Sequence, residues 1–507
     1  MQVSANKFRH PSSHQLGLRS VLLLILFVVS LYEFKSMGLV GMGMVCAIPV
    51  AVIVVYIAFR WKMSTFWMLF VLNYFLMFLE RYGYIPMPTS LPNELFEIVL
   101  LCIAIIDAKM FLEARFCNLM TFALVIWCSF CTLQVLNDTC DLGVNIGFWY
   151  TGARLMAFQL MYACIVCAIY VTTPENVMRF IKLWAICSFI AIFWVWKQRT
   201  FGFSQPEKVF LIRAGRTHII HGIIRYFSVF SDAANFGIHM AAAAVIFYVC
   251  AIAGKLKNDR ILFLLAAVGC TWAMFTSGTR TAIFCMIVGF MVFVFLSKSI
   301  KIAIPVTIIF GSLVFMLAFT TIGEGNSMIR RMRTAFDKND ASASVRDINK
   351  DAISKYMKDA PWGIGLGMDA TKIPANHKLQ RLSSIPPDSE YVFIWVHTGP
   401  IGLVFFIVTT LMIFGSACFI VLFRIRNNTL RGIGAAICSG FVALHLGGYA
   451  NQILMQFPNI FLFYGGMSII HTMPYMDQKF TEMENKRLQI AEEKKRIKKE
   501  KKRASRV

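Results

Sequence analysis

The sequence predicts an all-α, polytopic integral membrane protein of about 14 transmembrane helices, with one long extracytoplasmic loop that carries short helices. Three observations support this fold class. Of the 507 residues, 58% are hydrophobic and 15% charged, where soluble domains carry about a quarter charged residues. The apolar residues come in blocks of about 16 to 24, long enough to cross a hydrocarbon core as helices. The blocks are continuous rather than alternating, which excludes a β-barrel, and in lipid each must satisfy its own backbone hydrogen bonds.

The first apolar block, Val21 to Phe34, follows Lys7, Arg9 and Arg19 and is closed by no small-residue cleavage site, so it reads as a span, not a signal peptide. The spans are expected near residues 19–34, 38–59, 64–79, 94–110, 117–136, 154–172, 179–196, 233–253, 260–276, 279–297, 300–321, 399–423, 431–450 and 456–473. Alternate turns are basic: Arg60/Lys62, Lys109/Arg115, Arg179/Lys182, Lys255/Lys257/Arg260, Lys298/Lys301 and Arg424/Arg426/Arg431. By the positive-inside rule these turns, the N-terminal arm and the tail are expected in the cytoplasm. The acidic turn Asn137 to Asn145 and the polar insertion at 322–398 then lie outside.

Residues 1–476 are expected to form the membrane domain and residues 477–507 a basic helical cytoplasmic tail, in which Glu precedes Lys at helical spacing. The tail accounts for much of the formal net charge of +23. Such a run reads as a solvated arm drawn to membrane lipids, and not as a nucleic-acid binder. The 14 cysteines sit mostly within spans, where a thiol packs as a small hydrophobe. The pairs Cys128/Cys131 and Cys164/Cys167 lack the second pair or the histidines a metal site needs, so no metal is expected.

Four clusters fall on the outer side. The segment Lys197 to Asn235 is basic against the topology rule, with Arg213, Arg216 and Arg225 in it. It suits an anionic ligand, or alternatively headgroup contact and local ion pairing. It closes with RYFSVFSDAANFG, which adds Asp232 and Asn235. The turn Ser277 to Ala282 (SGTRTA) places Arg280 at the start of a span, as a ligand group or a snorkelling anchor. Ser344 to Gly367 is a polar helix followed by PWGIGLG, whose alternate glycines, Gly365 and Gly367 among them, permit close approach of backbone or sugar. Asp388 to Gly402 offers Asp388, Glu390 and His397 as acid, base or orienting groups, with His397 read as a packed or snorkelling histidine. Arginine forks bind phosphate oxygens bidentately and remain charged, so arginines beside an acid–base candidate suit a phosphate-bearing substrate with a proton to move. With no DxD-type metal pair on this face, the arginines are expected to meet the charge of a diphosphate leaving group.

The order of these parts resembles the O-antigen ligase and O-antigen polymerase superfamily of bacterial membrane glycosyltransferases. The matching parts are F-x-D-x-x-N at Phe230 to Asn235, S-x-x-R at Ser277 to Arg280, and S-x-R at Ser344 to Arg346 ahead of P-x-G-x-G at Pro361 to Gly365. The family's ligase motif is a His, then Asn, Ser or Gln, nine residues, and G-x-x-G. Here Ser389, the nine residues Glu390 to Thr398, Gly399 and Gly402 fit that frame, and Asp388 stands where the His would be. The resemblance covers roughly Lys197 to Tyr475. It implies an inverting, metal-independent transfer of a glycan from a polyprenyl-diphosphate carrier, without a cofactor, on the outer face of the bacterial inner membrane. Carried over, Arg280 is the first choice for the diphosphate and Arg225 the second, Arg346 orders the long loop or binds saccharide, and Asp388 is the general base. Asp in place of His turns the reading toward a polymerase of surface polysaccharide (O-antigen, capsule or exopolysaccharide). Chain-length control would then involve a separate regulator, which nothing in the sequence identifies.

The alternatives are a ligase that sends the glycan to lipid A core and, from a different class, a flippase for lipid-linked oligosaccharide. A transporter calls for ionisable groups at mid-membrane and broken helices in matching repeats. Pro49 and Pro305 interrupt spans, but no repeat is visible, ionisable residues in span centres are scarce, and the arginines cluster at the outer rim.

Overall fold

A computed structural model describes residues 13–38, 45, 52–53, 56–83, 90–107, 115–220, 223–325, 327–333, 341–369 and 371–504. The chain divides into two units, Met1–Phe66 and Trp67–Val507. In the first, α1 (Ser13–Met37) exposes Leu24, Phe27, Leu31 and Tyr32, as a helix facing lipid does. The span expected at 38–59 lies largely outside the described residues.

The remaining helices are α2 (Lys62–Tyr82), α3 (Ser90–Ile106), α4 (Leu119–Leu133), α5 (Ile146–Tyr170), α6 (Pro174–Thr200), α7 (Gln205–His218), α8 (Ala233–Ala253), α9 (Lys257–Thr276), α10 (Thr281–Ser297), α11 (Ile300–Phe319), α12 (Ser327–Arg333), α13 (Ala341–Met357), α14 (Glu390–Phe419), α15 (Asn428–Ala450) and α16 (Gly465–Ala504). Between α7 and α8, β1 (Ile219–Ile220) and β2 (Ile223–Ile224) form a minimal antiparallel pair.

Among the described residues eight helices are long and apolar enough to cross a membrane, against the fourteen or so expected. They are α2, α4, α5, α6, α8, α9, α14 and α15; α10 and part of α11 are shorter apolar helices. The expected span at 94–110 corresponds to the 17-residue α3, which carries Glu94 and Glu97. The expected last span begins in a π-turn at Ile460–Tyr464 and runs on through α16 into the tail as one helix.

Helices α8 and α15 lie at the centre of the second unit, each 83% buried over its apolar window. Small side chains let their neighbours close in, since in lipid packing replaces the hydrophobic drive between helices. Ala241 to Ala244 are all fully buried, and α15 brings Gly440 against Ile246 of α8. Helix α15 also packs on α10, α14 on α4, and α16 on α5.

Polar contacts sort the connecting segments into two groups, as the charge pattern does. At one end, Asn137 Nδ2 donates to Trp362 O at 2.9 Å, Arg225 Nε to Ser277 O at 3.3 Å, and Arg331 Nε to Gly278 O at 2.8 Å. At the other end, Asp259 accepts Lys182 at 2.6 Å and Arg487 at 2.8 Å, and Glu484 pairs with Lys255 at 2.8 Å. The tail helix is therefore clasped to the basic turns through residue 487.

Candidate active site

The site is built on a break in α14. Gly399 has φ 70° and ψ −179°, and Pro400 follows it. Proline has no N–H, so the carbonyl of Val396 loses its helical partner. The PWGIGLG loop supplies replacements: Ile364 N donates to Val396 O at 2.9 Å and Gly365 N to His397 O at 3.1 Å. Contact is so close that a Cβ on Gly399 would lie 2.1 Å from Pro361 O. On its other side the loop rests on α5, where a Cβ on Gly367 would lie 1.9 Å from Phe148 O. The S-x9-G-x-x-G frame and the P-x-G-x-G motif are thus two halves of one joint.

That joint fixes the start of α14. Ser389 caps the helix, accepting from Tyr391 N at 3.2 Å, and its hydroxyl donates to Gly448 O of α15 at 3.2 Å. Glu390 is buried and its carboxylate accepts Leu454 N at 2.8 Å, tying down the segment after α15. Asp388, one residue outside the cap, faces a cavity of about 370 Å³. Arg346, Asn349, Lys350 and Ile353 of α13 line one side, and Tyr391, Trp395 and Tyr449 the other. Asn349 Nδ2 donates to Asp388 Oδ2 at 2.9 Å, which orients the carboxylate. Arg346 and Asp388, 42 positions apart in sequence, share this cavity.

Tyr391 and Tyr449 also line a second cavity, of about 440 Å³, which is almost wholly apolar. Ile407, Leu411 and Phe414 of α14 face Phe441, Val442 and Leu446 of α15 across it, with Val288 of α10 alongside. A chamber with charged residues in its lining and an apolar groove therefore share two tyrosines.

Arginines gather beside the chamber. Arg225 donates to Ser277 O and, at 3.0 Å, to Thr279 Oγ1, so it braces the SGTR turn. Burial pushes its guanidinium down to about 10, and the charges of Arg331, Arg280 and Arg346 push the same way against Asp232. It remains charged at neutral pH. Arg331, Arg280 and Arg346 therefore each lie within electrostatic reach of Arg225, and Arg346 also lines the Asp388 chamber. Arg280 occupies the N-cap position of α10 and is half-buried. Such a concentration of like charge, at the positive end of a helix dipole, suits a polyanion.

Other residues singled out in the sequence lie elsewhere. Asp232 caps α8, accepting Ala234 N at 2.7 Å and Asn235 N at 2.9 Å. Asn235 is buried, donating to Ser231 Oγ and Phe457 O and accepting from Asn459 Nδ2 at 2.8 Å. The F-x-D-x-x-N motif therefore ties α8 to the segment before α16 instead of lining the chamber. His397 is buried and held between Phe393 O (2.8 Å) and Met368 O (3.1 Å). Gly367 meets protein backbone, not an open face. Gly365 is buried, with Met368 Cγ the nearest atom to an added Cβ at 3.6 Å. Arg213 is exposed on α7, and the side chain of Arg216 lies outside the described set.

Sequence reasoning missed Arg331, Asn349, Lys350 and the two tyrosines. The run SMIRRMR, a second basic stretch in the long polar insertion, was the available signal for Arg331. It missed Arg81 as well, whose guanidinium donates to Phe230 O at 2.5 Å and to Ser231 O at 3.2 Å, and lies over Phe227 at 4.4 Å. That arginine sets the loop on which Arg225 stands.

Comparison with known families bears on this geometry. Residues 261–407 match the family model described as O-antigen ligase. The matched stretch holds Arg280, Arg331, Arg346, the PWGIGLG loop, Asp388 and the break in α14, so the joint and every residue lining the chamber except Tyr449 fall inside it. It begins after Arg225, Asp232 and Asn235, which lie outside it, as do Phe441, His445 and Tyr449 of the groove. No curated protein matches the chain.

Proposed function

We propose that the chain is a membrane glycosyltransferase of the ligase/polymerase type, and that it acts as a surface-polysaccharide polymerase. It transfers a glycan from a polyprenyl-diphosphate carrier to a sugar hydroxyl of a second carrier-linked unit. The observation that carries this reading is the pair of tyrosines shared by a charged chamber and an apolar groove. An amphiphile with a polyanionic head and a hydrocarbon tail fits the two together: the tail lies between α14 and α15, and the head reaches Asp388 and the arginines. The match to the O-antigen ligase family supports the same substrate class.

In this reading Asp388 accepts the proton of the acceptor hydroxyl, and the resulting oxygen attacks the anomeric carbon. The bond from that carbon to the diphosphate breaks on the opposite face, and the diphosphate departs with the electron pair, so configuration inverts. Asn349 holds the carboxylate in place. Arg280, Arg331 and Arg346 stabilise the charge that grows on the leaving group, which is worth most where water is excluded. Asp388 in place of the motif's His favours polymerase over ligase. Two groups of turns, one basic, support a topology with both termini in the cytoplasm and the chamber outside, in a bacterial inner membrane.

The test is Asp388→Asn in the native host, with the surface polysaccharide resolved by chain length. A general base contributes about 10²–10⁴-fold, so single repeat units should replace the polymer. Long polymer accumulating on the carrier would identify a ligase instead, and lipid-linked units stranded on the cytoplasmic leaflet a transporter. An unchanged length distribution removes Asp388 from the chemistry. A reporter fused near Gly365 and found in the cytoplasm would overturn the topology.

A further inference from the structure

Away from the chamber, and outside residues 261–407, the membrane domain holds a second polar cluster. It joins α2, α3 and α5 through Asn73, Asn93, Glu94, Glu97, Arg154 and Gln159. All but Arg154 are at most 4% exposed. Asn73 stands midway along α2, and Gln159 past the middle of α5, just after the π-turn at Arg154–Phe158. Such turns within helices occur often at functional sites. An ionisable group at this depth is itself a pointer to function.

The hydrogen bonds form a partial chain. Asn73 Nδ2 donates to Asn93 Oδ1 at 2.9 Å, and Asn93 Nδ2 to Gln159 Oε1 at 3.1 Å. Arg154 Nε lies 3.1 Å from Glu94 Oε1, an ion-pair distance off the line of a hydrogen bond. Glu97 is fully buried, and neither carboxylate oxygen has a hydrogen-bond partner among the described residues. The amides of Asn93 and Gln159 act on its carboxyl without reaching hydrogen-bond geometry. Asn73 Oδ1 is buried too, with no hydrogen-bond partner among the described residues.

Charge in the cluster does not balance. Arg154 pairs with Glu94, and among the described residues no cation is recorded against Glu97. The ionisable groups that do act on it include Glu94 on its own helix, and Tyr162 and Cys167 on α5, none of which is cationic. A buried, unpaired carboxylate is too unfavourable to persist, so it takes up a positive charge. Oxygen atoms of carboxylate and amides are what a hard cation selects.

We propose that Glu97, with the neighbouring amides of Asn93 and Gln159, is an intramembrane site for one positive charge taken from water, as a proton or as a sodium ion. The site is separate from the glycan-transfer chamber, and its occupancy sets how firmly α2, α3 and α5 hold together.

The test uses the purified full-length protein in nanodiscs, its unfolding midpoint followed by tryptophan fluorescence from mildly acid to alkaline pH, in sodium or in choline chloride. Glu97→Gln is compared with wild type. If sodium is the ligand, wild type gains several degrees in alkaline sodium over alkaline choline, and the variant gains nothing. If the proton is the ligand, wild type loses several degrees at alkaline pH in both salts, and the variant loses less. Identical responses of the two proteins to both pH and sodium overturn the proposal. Should Glu97→Gln not accumulate, the wild-type infrared spectrum decides. A protonated-carboxyl band lost on raising pH or adding sodium supports the site, and a constant spectrum overturns it. Neither readout depends on glycan transfer.

Discussion

Gly399→Ala tests the joint that positions Asp388. The wild-type backbone there, φ 70° with ψ −179°, lies in a region that side-chain-bearing residues avoid, and holding alanine in it costs about 1–3 kcal/mol. The new methyl would lie 2.1 Å from Pro361 O and 2.9 Å from Gly363 N, and both are backbone atoms that no rotamer change can remove. The PWGIGLG loop must therefore lift off α14. It then gives up the bonds from Ile364 N to Val396 O and from Gly365 N to His397 O, each worth about 0.5–1.5 kcal/mol net. The whole effect is about 2–6 kcal/mol, a large part of a typical stability. Gly365→Ala is the control: φ is +95°, so backbone strain remains, yet the nearest atom to the added Cβ is Met368 Cγ at 3.6 Å. About 1–2 kcal/mol is expected there. Unfolding midpoints in nanodiscs, with polymer length in cells, measure both. A Gly399→Ala protein no less stable than Gly365→Ala would refute the joint, and one destabilised but normal in polymer length would refute its part in positioning Asp388.

Glu207 and Asp369 give two further expected outcomes. Glu207 is fully buried and accepts Trp194 Nε1 at 2.8 Å, Gln198 Nε2 at 2.7 Å and Ser204 N at 2.7 Å. Glu207→Ala leaves those donors unmatched and should destabilise by about 3–5 kcal/mol, seen as a lowered unfolding midpoint and faster proteolysis near Ser204. In the long loop, hydrogen bonding from Thr371 first, then Lys372, holds the Asp369 carboxyl down to about 2 despite partial burial. Its folded-state value lies below its ordinary one of 3.8. The stabilisation is therefore complete above about pH 4 and is lost as pH falls toward about 2. The difference in unfolding midpoint between wild type and Asp369→Asn should narrow over that window, and a constant difference would rule the linkage out.

Much of the candidate site could be read from the sequence because its parts are local exceptions. A charged residue at the edge of an apolar block stands out, as Arg280 does, while Arg346 and Asp388 stand out through the S-x-R motif and the S-x9-G-x-x-G frame. The roles of Asp232, Asn235 and Glu390 could not be read in this way. A carboxylate that caps a helix and one that faces a ligand are the same letter, and only Ala234 N, Leu454 N and Asn459 show that these groups are already engaged. Arg331 escaped notice because its significance depends on Gly278, 53 residues earlier. Ionisable residues looked scarce in span centres, yet Glu97 and Arg154 lie in a buried cluster. Their distance from Asn73 and Gln159 along the chain hid it.

By itself the amino-acid sequence determined that the protein lives in lipid and which turns share a side, because hydropathy and Lys/Arg counts are sums over neighbouring residues. It placed Gly399-Pro400 at the start of an expected span, whereas the helix begins at Glu390 and is interrupted at that pair, since proline lacks the N–H that a helix interior requires. Only the tertiary structure decided what repairs that interruption, which charges line the chamber, and that the chamber shares two tyrosines with an apolar groove. Those outcomes depend on contacts between residues far apart in the chain. Neutralising a charge or satisfying a carbonyl is a matter of three-dimensional proximity, which no local pattern encodes.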